Sequence, residues 1–262
     1  NQFGSAGEHI IRLSARDDTD ITSTNPDTVS VNLIEPSFDK NILVIDETKE
    51  SELPGNVTDT EVDSFYTEIF GTANQWDYNE EGMPPKDVIS QYNLVIWHSD
   101  HYWRNAGDAS QLSENTDEIS SYMNVGGDFV MSGWKILKSF VPEVDFPRSF
   151  EPGSFVNDYL HIQRADQTPS IPGDFAGANG SSQGFRDVNV DSSKAPGFPY
   201  QGYLVNVNLI TDRAGFTDNI YTYRPQPGED AMSQYRGQTV GVRYFGNSFN
   251  AVVLGFPIYL LE

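Results

Sequence analysis

The chain contains no cysteine. That absence excludes disulfides, thiolate nucleophiles and thiolate metal centres together. It does not fix a compartment, because a secreted protein with an adequate core needs no disulfide. Cations are scarce as well: 16 lysines and arginines stand against 38 aspartates and glutamates, for a formal charge of −22. With no basic face to compensate a phosphate backbone, nucleic acid is not an expected partner, and an anionic membrane surface is disfavoured on the same ground. No apolar run reaches the ~18–20 residues that span a bilayer. The acidity reads as a solvated surface kept soluble by net charge, with salt adaptation and weak calcium binding as the alternatives. The opening NQFGSAGEHIIRL starts in mid-pattern and reads as part of a longer chain.

What the sequence does hold is aromatic mass (16 Phe, 13 Tyr and 4 Trp) and a clear change of pattern near residue 40. Before that point, Glu8–Arg16 and Thr28–Ile34 alternate apolar and polar residues in period two, as strands do. Two strands do not make a stable domain. Residues 1–38 are therefore expected to be the closing hairpin of an immunoglobulin-like or fibronectin-like sandwich plus a linker. Residues 39–262 are expected to form one α/β domain.

Within that domain, Ile42–Ile45, Leu94–Trp97 and Phe129–Met131 are unbroken apolar runs, the signature of strands buried on both faces of a parallel sheet. A helix is predicted over Thr58–Phe70. Thr58 is its N-cap, Glu61 completes a capping box, and Val62, Phe65, Tyr66 and Ile69 share one face. Gln75–Tyr78 reads as a short strand, Pro84–Ser90 as a short helix, and Ser113–Met123 as another helix capped by Ser113 or Thr116. Thr239–Phe245 and Ala251–Leu254 read as a terminal hairpin. GANGSSQG, from Gly177 to Gly184, has neither phosphate-loop spacing nor a lysine and is expected to be a flexible loop. The β-α-β-α-β alternation predicts a doubly wound, mainly parallel sheet behind the β-hairpin remnant.

Five segments in order carry a resemblance: NILVIDE, YNLVIWHSD, GGDFVMSGWKI, FVNDYLHI and RYFGNSFNAVVLGFPIYLLE. On these the chain resembles class I glutamine amidotransferase-like (flavodoxin-like) domains, in the branch found in large secreted bacterial surface proteins. The resemblance covers about Lys40 to Glu262. It implies the fold, a secreted or cell-surface location, and partners among other modules of the same chain or on the cell surface. Amidotransferases place a cysteine at the strand-to-helix elbow and follow it with a histidine and an acid. Here Ser132 stands at the elbow and no histidine follows His161. With that departure, the expected role is that of a non-catalytic interaction or scaffold domain, with calcium as its sole candidate cofactor.

Three sets of residues are candidates for chemistry. Ser132 would be a nucleophile if His98 or His101 served as its base, giving a hydrolase. Val130 and Trp134 stand where the G-x-S-x-G elbow has glycine, and the plainer reading is a serine that caps the following helix. A ligand pocket, if formed, would gather Asp46, Glu47, Asp100 and Trp134 at the carboxyl ends of the strands. There Tyr102, Trp103 and Trp134 could offer ring faces to a carbohydrate, and His98, Asp100 and His101 could hold a metal but read more simply as a polar loop. Asp17, Asp18 and Asp20 have carboxylates spaced closely enough for calcium, although an Asp-rich turn is the default.

Overall fold

A computed structural model of the chain describes residues 5–19, 22, 27–48, 57–99, 110–141, 145–170, 173–181, 184–195, 197, 201–228 and 233–262. The chain opens with strands β1 (Gly7–Leu13) and β2 (Asp27–Leu33). The α/β core follows with β3 (Lys40–Asp46), α1 (Asp59–Phe70), β4 (Asn74–Asp77), α2 (Tyr78–Glu81), α3 (Lys86–Ile89), β5 (Tyr92–Ser99), α4 (Thr116–Asn124) and β6 (Asp128–Gly133). The remainder comprises β7 (Arg148–Ser149), α5 (Phe155–Asp158), β8 (Ile162–Gln167), β9 (Phe175–Gly180), β10 (Val188–Asn189), β11 (Asn208–Asp212), β12 (Thr217–Pro225), β13 (Thr239–Phe245) and β14 (Asn250–Leu254).

Nine strands form one sheet in the order β10-β9-β12-β13-β14-β6-β5-β3-β4. From β14 to β4 every neighbouring pair is parallel, and from β10 to β14 every pair is antiparallel. Numbered by their own succession, the five parallel strands lie in the order 2-1-3-4-5. That is the flavodoxin-like doubly wound order, whose switch point falls between β3 and β5. Period-two alternation sends successive residues of each strand to opposite faces, and both faces are covered. Leu43, Ile45, Val95, Trp97, Phe129 and Met131 pack on the side of α4. Val44 and Ile96 pack on the side of α1, against Val62 and Tyr66. Each such side chain, fully buried, contributes roughly 1.5–3 kcal/mol, and this double burial is what makes the strands read as continuous apolar runs.

The helix α1 starts as its sequence dictates. The Glu61 backbone N–H donates to Thr58 Oγ1 at 3.3 Å, and Glu61 Oε2 accepts from the Thr58 N–H at 2.7 Å. Gly71 ends it at φ 61°, with its N–H on the Thr67 carbonyl. The predicted apolar face is only partly covered, for Ile69 remains 56% exposed.

The structure departs from expectation in three places. After β6 the chain does not enter an α-helix: Lys135 takes a left-handed conformation (φ 49°), and a 3-10 turn spans Ile136–Phe140. α4 begins at Thr116 with no side-chain cap, behind a separate 3-10 turn at Gln111–Glu114. The first half of GANGSSQG belongs to strand β9, paired to both β10 and β12. A Cβ at Gly177 would collide with the Val188 carbonyl of β10, so close strand approach, not flexibility, accounts for the glycine. A small antiparallel sheet, β11-β8-β7, lies apart from the main one, and β1 and β2 pair only with each other among the described residues. Their seven-residue register is unbroken, while Ile10, Leu13 and Val29 are exposed.

Candidate functional site

Strand register assembles the region at the switch point. Asp46 at the end of β3 pairs with Asp77 of β4 on one side and with His98 of β5 on the other. His98 pairs in turn with Ser132 of β6, and Ser132 with Leu254 of β14. An aspartate, a histidine and a serine thus stand in one row across three adjacent parallel strands, on the sheet face that α1 covers. Asp46, His98 and Ser132 are all buried, the last two to 0% exposure.

Each member of the row has a partner outside the row. His98 Nδ1 shares a 2.7 Å hydrogen bond with the Tyr66 hydroxyl of α1, and the Tyr66 and Tyr259 rings pack edge-to-face with the imidazole. The Ser132 hydroxyl donates to the Phe256 carbonyl at 2.9 Å and accepts the Ile258 N–H at 3.2 Å. It is therefore bonded to backbone beyond β14, neither to His98 nor to the 3-10 turn that follows it. Asp46 Oδ1 accepts the Thr48 N–H at 2.7 Å.

Asp63, on the covering helix, hydrogen-bonds Asp46 and has its carboxyl pushed up to about 6. Burial is the main cause, followed by the charges of Asp46 and Asp77, with His98 opposing them. Asp77 itself caps α2, accepting from the Asn79 and Glu80 N–H groups.

Glu47 points to the opposite face. It is 1% exposed and accepts from Trp97 Nε1 at 2.7 Å, from the Ser110 hydroxyl and from the Gln111 N–H. Burial raises its pKa above the usual carboxylate range, and these donors pull it back. The carboxylate thereby holds the start of the 3-10 turn at Gln111–Glu114 to the end of β3. Trp134 is 1% exposed, and its backbone N–H donates to the Ser99 carbonyl at 2.9 Å. Between them, Gly133 lies so close to β5 that a Cβ would strike that same carbonyl. Burial, with help from Lys138, holds the Lys135 ammonium below its usual range.

Asp100, His101, Tyr102 and Trp103 lie outside the described residues, as does Asp20. Asp17 accepts from both the N–H and the hydroxyl of Thr19 at 3.0 and 2.9 Å, in an exposed Asx turn that Asp18 shares. Among the described residues no group of three or more histidines, aspartates and glutamates is placed to hold a metal ion. The structure therefore brings together Asp46, His98 and Ser132, sets Glu47 behind them, and leaves the Asp17–Asp18 turn on a separate surface. Two participants had no signal as site residues: Tyr66 reads as core in the helical pattern, and Asp63 reads as one more surface acid.

The class of protein that these strands define is an α/β protein with a flavodoxin-like parallel core and an antiparallel extension. No protein-family model matches the chain, and no curated protein matches it. Solved structures similar to it include a polyextremophilic beta-galactosidase from the Antarctic haloarchaeon Halorubrum lacusprofundi, at TM-score 0.48 and 14% identity over 87% of this chain and 29% of that one. A catalytic mutant of a GH42 beta-galactosidase from G. stearothermophilus aligns at TM-score 0.49 and 11% identity, over 88% of this chain and 28% of that one. A putative ThuA-like protein from Parabacteroides merdae aligns at TM-score 0.39 and 11% identity, over 82% and 78%. This chain thus spans less than a third of either beta-galactosidase chain. The fold itself rests on the strand order and register given above.

Proposed function

We propose that this chain is a non-catalytic, amidotransferase-like α/β module that serves as an interaction or scaffold domain within a secreted or cell-surface bacterial protein. One observation carries the reading. The hydroxyl at the elbow is fully buried and spends both its proton and an acceptor site on backbone groups of Phe256 and Ile258. A nucleophile must instead present its oxygen to substrate, with a base within about 3.2 Å of its proton. Glutamine hydrolysis through a thiolate is excluded by composition alone, since the chain has no cysteine. The charge of −22 fits a module that works in solution beside other modules, and those modules or surface proteins are its proposed partners.

The test is chemical. A fluorophosphonate probe and a panel of amide, ester and glycoside substrates are expected to give neither labelling nor turnover. Stoichiometric labelling of the protein that disappears in Ser132→Ala would overturn the proposal and install the hydrolase, with His98 or His101 as base.

A further inference from the structure

One face of α1 walls a groove made of two adjoining, chemically distinct cavities that share Phe65. Glu61, Ser64, Phe65 and Glu68 recur at helical spacing and face Asp191 and Lys194 across a cavity of about 420 Å³. Phe65 also lines the second cavity, of about 290 Å³, whose walls are apolar, among them Ile69, Tyr221, Leu254 and Ile258. Four carboxylate side chains (Glu61, Glu68, Asp191 and Glu262) border the whole groove. Lys194 is the single cation among its described lining residues, and it is occupied. Its ammonium donates to the Tyr259 carbonyl at 2.7 Å, stands 3.9 Å from Asp191, and lies over the Phe65 ring.

We propose that this groove docks an extended polypeptide segment of a partner protein, basic at one end and apolar at the other. The inference rests on the reading of the chain as an interaction module and names the chemistry of what it binds. Charge selects the occupant. A second copy of this chain would bring another 22 net negative charges to an acidic rim, and like-charge juxtaposition opposes docking. A lysine or arginine side chain meets Glu68 and Asp191 with opposite sign. Length agrees as well: from Glu61 to Ile69 the helix advances about 12 Å at 1.5 Å per residue, the span of about four extended residues. The apolar half gives the segment an anchor, for Ile69 is the most exposed apolar side chain of α1 and turns toward this groove. A neutral sugar would leave those apolar walls unmatched.

The test uses the intact protein and two fluorescein-labelled hexapeptides, Lys-Lys-Leu-Ile-Leu-Val and its Glu-Glu analogue, followed by fluorescence anisotropy. Saturable binding of the lysine peptide is expected below about 1 mM, weakening several-fold in about 0.5 M salt. Ile69→Asp is expected to weaken it at least about tenfold. Both this position and Glu68 lie on the exposed side of the helix, so the variants are expected to melt as the parent does. Glu68→Lys is expected to weaken the lysine peptide and strengthen the glutamate one, a reversal that a mere loss of fold cannot produce. Equal binding of the two peptides, no saturation, or indifference to both substitutions would overturn the proposal. So would saturable binding of a neutral hexasaccharide in place of the lysine peptide, or a dimer in solution that Ile69→Asp dissociates. Labelling of Ser132 is read independently: failure of peptide binding overturns the groove and leaves the non-catalytic reading standing, whereas labelling overturns that reading and leaves the peptide result to decide the groove.

Discussion

Replacing Asp63 by asparagine is expected to stabilise the protein at pH 8 and to lose that effect as the pH falls toward 4. Asp63 takes up its proton more readily in the folded state, at about 6 against an ordinary 3.8. Its contribution to stability is therefore fully present below pH 3.8 and is lost as the pH rises through about 6. The shift of about two pH units corresponds to about 3 kcal/mol at 1.36 kcal/mol per unit. Asp63 is only half-buried, so solvent screening reduces the figure to roughly 1–2 kcal/mol. Asparagine removes the charge that Asp46 and Asp77 oppose and still offers Asp46 a donor, its amide N–H standing where the protonated acid has an O–H. Urea titrations of parent and variant at pH 4, 6 and 8 would show the midpoints diverging with pH at constant slope. Taking the difference between the two proteins cancels the titration of carboxylates remote from this cluster, leaving that of Asp63 and of Asp46 and Asp77 coupled to it. A variant less stable than the parent at pH 8, or a difference that does not vary with pH, would refute the reasoning.

Two further substitutions probe the same architecture. Gly133→Ala drives a methyl into the Ser99 carbonyl of β5 and is expected to cost about 2–4 kcal/mol. An unfolding midpoint equal to the parent's would show that β5 and β6 can part without penalty. His161 is buried between Phe216 and Tyr244, with neither ring nitrogen hydrogen-bonded. Its pKa is lowered first by burial and then by Arg213, against the pull of Asp158. A histidine depressed in this way supports the fold above its ordinary pKa of 6.5, and that support is lost as the pH falls through the lower, folded value. The stability of His161→Phe relative to the parent is accordingly expected to rise between pH 8 and pH 5, measured by thermal melting, and a constant offset would contradict the assignment.

How far the fold could be read depended on burial. Strands β3, β5 and β6 are covered on both faces, so almost any residue outside Val, Ile, Leu, Phe, Met or Trp would interrupt them, and their apolar runs stand out. The capping box of Thr58 and Glu61 is a local signal and survives into the structure unchanged. The antiparallel half behaves differently. In β12 the register shifts twice, between Asn219 and Tyr221 and between Tyr221 and Thr222, which destroys the period-two alternation that marks a strand. β9, FAGANG, has small residues because its neighbours approach closely at Gly177 and Gly180, and small residues read as loop. β8 interrupts its buried Ile162 and Ala165 with exposed Gln163 and Arg164.

The candidate site was legible to the same degree and failed at the same boundary. Asp46, His98 and Ser132 each end an apolar run, so the sequence alone places them at the carboxyl edge of the sheet. It does not say what they bond, because every decisive partner is remote: Tyr66 lies 32 residues from His98, and the Phe256 carbonyl lies 124 residues from Ser132. The row also carries its own geometric obstacle to a triad. Adjacent strands are about 4.8 Å apart, whereas a proton relay needs about 2.6–3.2 Å between heavy atoms. Side chains rising in parallel from neighbouring strands preserve the wider spacing unless a turn re-aims one of them. Here the Ser132 hydroxyl is turned to the Phe256 carbonyl and the Ile258 N–H, not to His98. β6 runs on through Ser132 to Gly133, and the left-handed residue comes only at Lys135, too late to lift the serine toward His98. Tyr66 of α1 bonds His98 and the backbone beyond β14 takes the Ser132 hydroxyl, so the order Asp-His-Ser in this fold builds a buried floor.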